Sequence, residues 1–204
     1  PDIQVTDVRM DTTANPKNLD VNGLQVVTLS GAEFKAPWDT RYHSVSAEYG
    51  IYDDTNARFK WGYAATNCEF VTGLSNNVTC TTAAGVGAIH RWKVTVGYGG
   101  TLTSTGGTAG TTTFGVSPGS AFTSYAPPTV TSVSGDKDLD TKGAQTVTIT
   151  GTNFGPMTTQ RYDDTWPDAT AAKVTKDPAP VEGLYSVSAG GLAATNCKVT
   201  VAGA

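Results

Sequence analysis

The chain has 204 residues, a formal net charge of −4, 16% charged side chains, 23 Gly, 10 Pro, 3 Cys and 2 His. That length holds one large or two small domains with cores of their own, and a net negative charge argues against nucleic acid as a partner. No apolar run approaches the ~18 residues of a membrane span, so direct membrane insertion by this segment is not expected.

Taken in chain order, the apolar residues fall in short alternating runs: Gln25 to Leu29, then Trp92 to Val96, then Thr146 to Thr150. Alternation is the period of a half-buried strand, and the β-branched Val, Ile and Thr in these runs suit a pleated surface. No stretch has helical periodicity. Gly99 to Thr113 is nearly all Gly, Thr and Ser, which reads as a flexible surface loop because it has little apolar surface to bury. The segment Phe122 to Pro128 ends in two prolines, a stiff extended connection suited to a domain boundary. The fold class expected is therefore all-β, of sandwich type. The opening Pro1, without a methionine, reads as the start of a processed product or of an excerpt from something longer.

An internal repeat organises the chain. Leu19-Asp20, Gly23, Gln25, Val27-Thr28, Gly31, Phe34 and Arg41-Tyr42 recur as Leu139-Asp140, Gly143, Gln145, Val147-Thr148, Gly151, Phe154 and Arg161-Tyr162, at a constant offset of 120. Val5-Thr6-Asp7-Val8 pairs with Val130-Thr131-Ser132-Val133 at an offset of 125, and Ala64 to Cys68 returns as Ala193 to Cys197 at 129. Tyr52 to Thr55 matches Tyr162 to Thr165 at a competing offset of 110. Each repeated Thr/Gly/Phe turn needs a reversal in which Gly supplies positive φ, and Phe34 and Phe154 are expected to plug one end of each sandwich.

Pro-x-Val-x-x-Val at Pro128 to Val133, followed by Gly-x-x-x-Val-Thr-Ile-x-Gly-x-Asn-Phe-Gly at Gly143 to Gly155, resembles the first two strands of IPT/TIG domains, the immunoglobulin-like modules of plexins and many cell-surface proteins. Cys68, Asn77 to Thr82, Gly85 to Gly87 and Trp92 to Val96 resemble that family's paired-cysteine and closing-strand region. The resemblance implies two tandem immunoglobulin-like sandwiches: a first at 1–126, carrying the Gly/Thr-rich loop at 99–113, and a second at 127–204 that is truncated. It further implies an extracellular or cell-surface structural or adhesion module, part of a longer array or filament. Its partners would be other protein chains, copies of itself among them. A carbohydrate-binding accessory module of a secreted enzyme is the alternative, with glycans as partners. DNA binding, which the family also permits, conflicts with the negative charge.

Cys68 and Cys80 flank a Gly-Leu-Ser-Asn-Asn turn, the arrangement of two strands of one hairpin. A disulfide there implies an oxidising compartment; a reduced core pair and a zinc site are the alternatives, the latter with only His43 and His90 to complete it. Cys197 aligns with Cys68 but has no counterpart of Cys80 after it. An excerpt of a longer array, pairing with another chain, and strands supplied by a neighbour are the three readings. Asn77-Val78-Thr79 is an N-glycosylation sequon, placed in or just after the hairpin turn. Thr101, Thr103, Thr105, Thr108, Thr111, Thr112 and Thr113 are candidate O-glycosylation sites. Trp38 and Trp166 are candidate ligand or partner contacts in loops, with loop anchoring as the alternative.

Asp136, Asp138 and Asp140 place carboxylates at alternate positions, a weak calcium candidate against the plainer reading of a solvated turn. Asp53-Asp54 and Asp163-Asp164 read the same way. His90 alternates with Trp92 and Val94 on one strand face and is expected to be a partly buried strand residue. With no nucleophile elbow, phosphate loop or metal-ligand spacing, neither catalysis nor a cofactor is expected.

Overall fold

The computed structural model describes residues 3–10, 18–34, 43–74, 76–98, 111–135, 140 and 142–155, with short stretches at 158–159, 162–163, 179–180, 188–189 and 192–194 and the single residue 197. Every regular element among them is a strand. The first copy supplies β1 (Gln4–Met10), β2 (Asn18–Leu19), β3 (Val26–Ala32), β4 (His43–Asp53), β5 (Arg58–Ala64), β6 (Thr66–Phe70), β7 (Asn77–Thr81), β8 (His90–Tyr98), β9 (Thr111–Val116) and β10 (Phe122–Tyr125). Beyond Pro127-Pro128 lie β11 (Thr129–Ser134), β12 (Thr148–Thr152), β13 (Thr158–Thr159), β14 (Tyr162–Asp163), β15 (Ala179–Pro180), β16 (Ser188–Ala189) and β17 (Leu192–Ala193).

Two sheets make the first sandwich, as an immunoglobulin-like all-β fold requires. One is antiparallel in the order β1-β3-β7-β6; the other runs β14-β5-β4-β8-β10-β2, with β9 also on β8. Strand alternation decides which side chains meet between them. Val27 and Leu29 of β3 and Val78 and Cys80 of β7 point inward from the smaller sheet; Ala47, Tyr49, Tyr63, Trp92, Val94 and Val96 meet them from the larger. In β1 the inward residues Val5 and Val8 are three apart, which plain alternation forbids. A bulge between Val5 and Asp7 resets the register and brings both to the core.

The larger sheet is held by an aromatic row. Tyr49 lies directly opposite Tyr63 on one side and Trp92 on the other, and the Tyr49 and Trp92 rings stack at 4.3 Å. Their polar ends are satisfied within the core. The Ala83 amide donates to Tyr49 Oη at 2.9 Å, the Tyr49 and Tyr125 hydroxyls are 2.7 Å apart, and Tyr125 Oη donates to the Ala83 carbonyl at 2.7 Å. Tyr63 Oη donates to Val86 O at 2.9 Å, and Trp92 Nε1 donates to Thr123 Oγ1 at 3.0 Å. The connection from β7 to β8 is thus tied to the core by tyrosine hydroxyls.

Three expectations from sequence change. The Gly/Thr-rich stretch read as a loop over 99–113 does not stay one: Thr111, Thr112 and Thr113 open β9 and pair with Tyr98, Gly97 and Val96. Consecutive β-branched residues lying beside the open edge of β8 favour strand over loop. In the competing match at offset 110, the described residues Tyr162 and Asp163 also differ in place from Tyr52 and Asp53. Asp53 ends β4, and its carboxylate accepts the Thr55 amide at 3.0 Å in the turn to β5, whereas Tyr162 and Asp163 form β14, paired with Gly62 and Trp61 on the edge of β5. A strand from beyond Pro127-Pro128 therefore extends the first copy's larger sheet. His90 is fully rather than partly buried, because Tyr49, Tyr63 and Tyr125 surround its ring at 5.4–6.0 Å.

Candidate functional site

The repeat is structural as well as sequential. In the first copy, Val5 pairs with Gly31, Asp7 with Ser30, Val8 with Leu29 and Arg9 with Thr28. In the second, Val130 pairs with Gly151, Ser132 with Thr150, Val133 with Ile149 and Ser134 with Thr148, with the bulge at the same place. Thr6 Oγ1 donates to Ser30 O at 3.2 Å, and Thr131 Oγ1 to Thr150 O at 3.0 Å. The turn before each second strand is built alike. Asp20 O accepts the Gly23 amide and Asp140 O the Gly143 amide, both at 2.9 Å. Each aspartate carboxylate caps the residue two ahead, Asn22 or Lys142, and each aspartate amide donates to a glutamine side chain, Gln25 or Gln145.

Two glycines in each copy are dictated by this geometry. Gly23 and Gly143 hold φ of 72° and 74°, the left-handed region that favours glycine. A Cβ on Gly31 would overlap the Gln4 carbonyl and the Phe34 ring, and one on Gly151 would overlap the Thr129 carbonyl and the Phe154 ring. Phe34 is fully buried, while Phe154 is half-buried.

The β6–β7 hairpin carries the covalent link: Cys68 and Cys80 form a disulfide with their Cα atoms 4.1 Å apart. Cys80 sits opposite Val27 of β3, so the bond ties the outermost strand of the smaller sheet to one that faces the core. Asn77 is the first residue of β7, on the outward side with Thr79, since Val78 and Cys80 take the inward positions. Cys197 is a free, half-buried thiol.

Of the weak calcium candidates, Asp136 and Asp138 lie outside the described residues, and Asp140 is engaged as the turn cap described above. No group of three or more His, Cys, Asp or Glu among the described residues is placed to hold a metal ion. Trp38, Trp166, Thr101, Thr103, Thr105 and Thr108 also lie outside the described residues, and Thr111, Thr112 and Thr113 are described in backbone alone. His90 sits in the aromatic core; burial is the main cause that brings its imidazole down to about 4 from 6.5, with hydrogen bonding to the Gly87 and Val86 backbone opposing it. Burial likewise raises the Tyr125 phenol.

One surface went unread in the sequence. On the outward side of β8, Arg91 pairs with Asp54, donates to the Ser117 carbonyl and lies 4.9 Å over the Tyr52 ring. Lys93 lies 4.6 Å over the Phe114 ring and 3.9 Å from Glu48. Arg91 and Lys93 are two apart in a strand run, which was the available signal. Their partners come from β4, β9 and a turn, and no local pattern joins these. No helix among the described residues is long and apolar enough to cross a membrane.

Comparison with known families finds that the IPT/TIG domain model matches residues 12–114, a span that runs from before β2 into β9. No curated protein and no solved structure matches.

Proposed function

The chain belongs to the IPT/TIG domain family, whose immunoglobulin-like modules typically mediate protein–protein contacts, and from that premise we propose that it is a non-enzymatic extracellular module of a longer tandem array, structural or adhesive, on a cell surface or in a surface filament. The observation that carries this reading is the second hairpin, which reproduces the register, bulge and turn of the first on the far side of a Pro-Pro connection. Repetition of one unit along a chain is the signature of an array. The Cys68–Cys80 disulfide supports an oxidising compartment, and the outward Asn77 offers a glycan acceptor on the same hairpin.

Intact mass of native material, measured before and after reduction and deglycosylation, tests the reading. A two-hydrogen gain at the Cys68–Cys80 pair on reduction is expected, together with a glycan at Asn77; material with neither overturns the extracellular assignment. Glycan-array binding that is lost in Trp38→Ala would replace protein contact by sugar recognition.

A further inference from the structure

We propose that His90 and the three tyrosines around it form an acid-released clasp that holds the β7–β8 connection and β10 against the core. Both segments meet where the chain runs on to Pro127-Pro128: the Tyr125 amide donates to Gly87 O at 2.9 Å and the Ala126 amide to Leu19 O at 2.8 Å. The connection is fastened mainly to the cage itself. The Ala83 amide donates to Tyr49 Oη at 2.9 Å and the Val86 amide to Tyr63 Oη at 3.0 Å, while the Tyr63 and Tyr125 hydroxyls donate back to the Val86 and Ala83 carbonyls. Between these points the Gly85 amide donates to Val21 O at 3.0 Å. A Cβ on Gly85 would overlap the Tyr63 and Tyr125 rings, so the connection lies directly on the cage.

Protonation acts at this contact. The buried imidazole stands edge-on to Tyr49 of β4, Tyr63 of β5 and Tyr125 of β10, with ring centroids at 6.0, 5.7 and 5.4 Å. These phenols are the titratable groups that face it from the strands packed around it, and all three are neutral in acid. Arg91 and Lys93, the charged residues of its own strand, take their partners on the outward side. Burial outweighs hydrogen bonding to the Gly87 and Val86 backbone in setting the imidazole, and no carboxylate is among the causes that act on it. A cation in this cage is relieved only when water reaches the ring.

The connection gives way first because it already carries strain. Ile89, next to His90, holds φ of 59°, a left-handed conformation that is unfavourable for a β-branched residue and persists only while its surroundings enforce it. Its side chain is 58% exposed and adds little to the core. The β6–β7 hairpin before it, by contrast, is closed by the Cys68–Cys80 bond, and β7 is paired with β3 along its whole length. Opening from Ala83 to Ile89 therefore loosens β10 and the segment leading to the second hairpin while the smaller sheet keeps its pairing. Acid then sets how firmly the first copy holds the chain that leaves it.

The test is amide exchange of the 204-residue chain, followed by NMR from pH 7.5 to 4.5, with each rate divided by that of an unstructured chain at the same pH. Below pH 6.5 the protection of Ala83, Gly85, Val86, Tyr125 and Ala126 should fall ~10-fold per pH unit. It should also lie ~10-fold or more below that of β3 and β7 throughout. His90→Phe, which keeps a ring and cannot titrate, should remove that pH dependence. Gly85→Ala, which pushes the connection off the cage without touching the imidazole, should lower protection at neutral pH and move the His90 ring titration from about 4 towards 6.5, a readout that stands without the His90 variant. Equal protection of the connection and of β3 and β7 overturns the proposal, since the site would then open only by global unfolding. So does protection that stays flat with pH in the parent, a pH dependence that survives in folded His90→Phe, or an unchanged His90 titration in folded Gly85→Ala.

Discussion

Acidification tests the aromatic core through His90. Burial among Tyr49, Tyr63 and Tyr125 holds its imidazole at about 4, against 6.5 for the unfolded chain. Above pH 6.5 both states are neutral at this site and the fold keeps its full stability. As pH falls below 6.5 the unfolded chain binds a proton that the folded chain refuses, so stability declines by about 1.4 kcal/mol per pH unit until pH 4, where the folded form also protonates. The whole window is worth about 3 kcal/mol, a large share of the 5–15 kcal/mol typical of a domain. Urea unfolding followed by tryptophan fluorescence at pH 4.5, 5.5, 6.5 and 7.5, for the parent and His90→Phe, isolates this contribution, because the two proteins differ only at that ring. Phenylalanine keeps a ring in the cage and removes the titration. The parent should lose about 2–3 kcal/mol more than the variant between pH 7.5 and 4.5. Parallel stability curves, or a His90 ring resonance in the folded protein titrating near 6.5, would refute the reasoning.

Replacing both cysteines of the bonded pair, Cys68→Ser with Cys80→Ser, should lower stability by about 3 kcal/mol, read as a fall in the denaturation midpoint; a midpoint equal to the parent's would show that the hairpin does not need the bond. Tyr49→Phe removes the hydroxyl between the Ala83 amide and Tyr125 and should cost about 1–3 kcal/mol in urea unfolding, with faster amide exchange at Ala83; an unchanged exchange rate there would count against the tie between loop and core. Val27→Ala should cost about 2 kcal/mol, whereas Val147→Ala, its exposed counterpart, should stay within about 0.5 kcal/mol. Equal costs for the two valines would mean that the second hairpin is already packed.

Legibility varied with the range of the interaction. The β3 and β12 runs were readable because alternation is local, and the repeat was readable because the same turn needs the same Asp, Gly and Gln at the same spacing. The β6–β7 hairpin was readable from a short polar turn between two cysteines. His90 was placed on the correct strand, but its depth was missed: the three tyrosines around it come from β4, β5 and β10, up to 41 and 35 residues away in sequence at Tyr49 and Tyr125. The outward surface of Arg91, Lys93, Tyr52 and Phe114 was missed for the same reason. The Thr111 to Thr113 strand was misread because composition describes what a segment can bury and says nothing of the strand edge waiting beside it.

By itself, then, the sequence determined the fold class and the repeated hairpin, since each rests on patterns a few residues long. Only the tertiary structure decided what those patterns face. Val27 and Val147 occupy the same position in the same motif, yet one is sealed between two sheets and the other is open, because burial depends on the strands that arrive from elsewhere in the chain. The same is true of the two related cysteines: Cys68 is bonded because β7 lies beside it, and Cys197 is free.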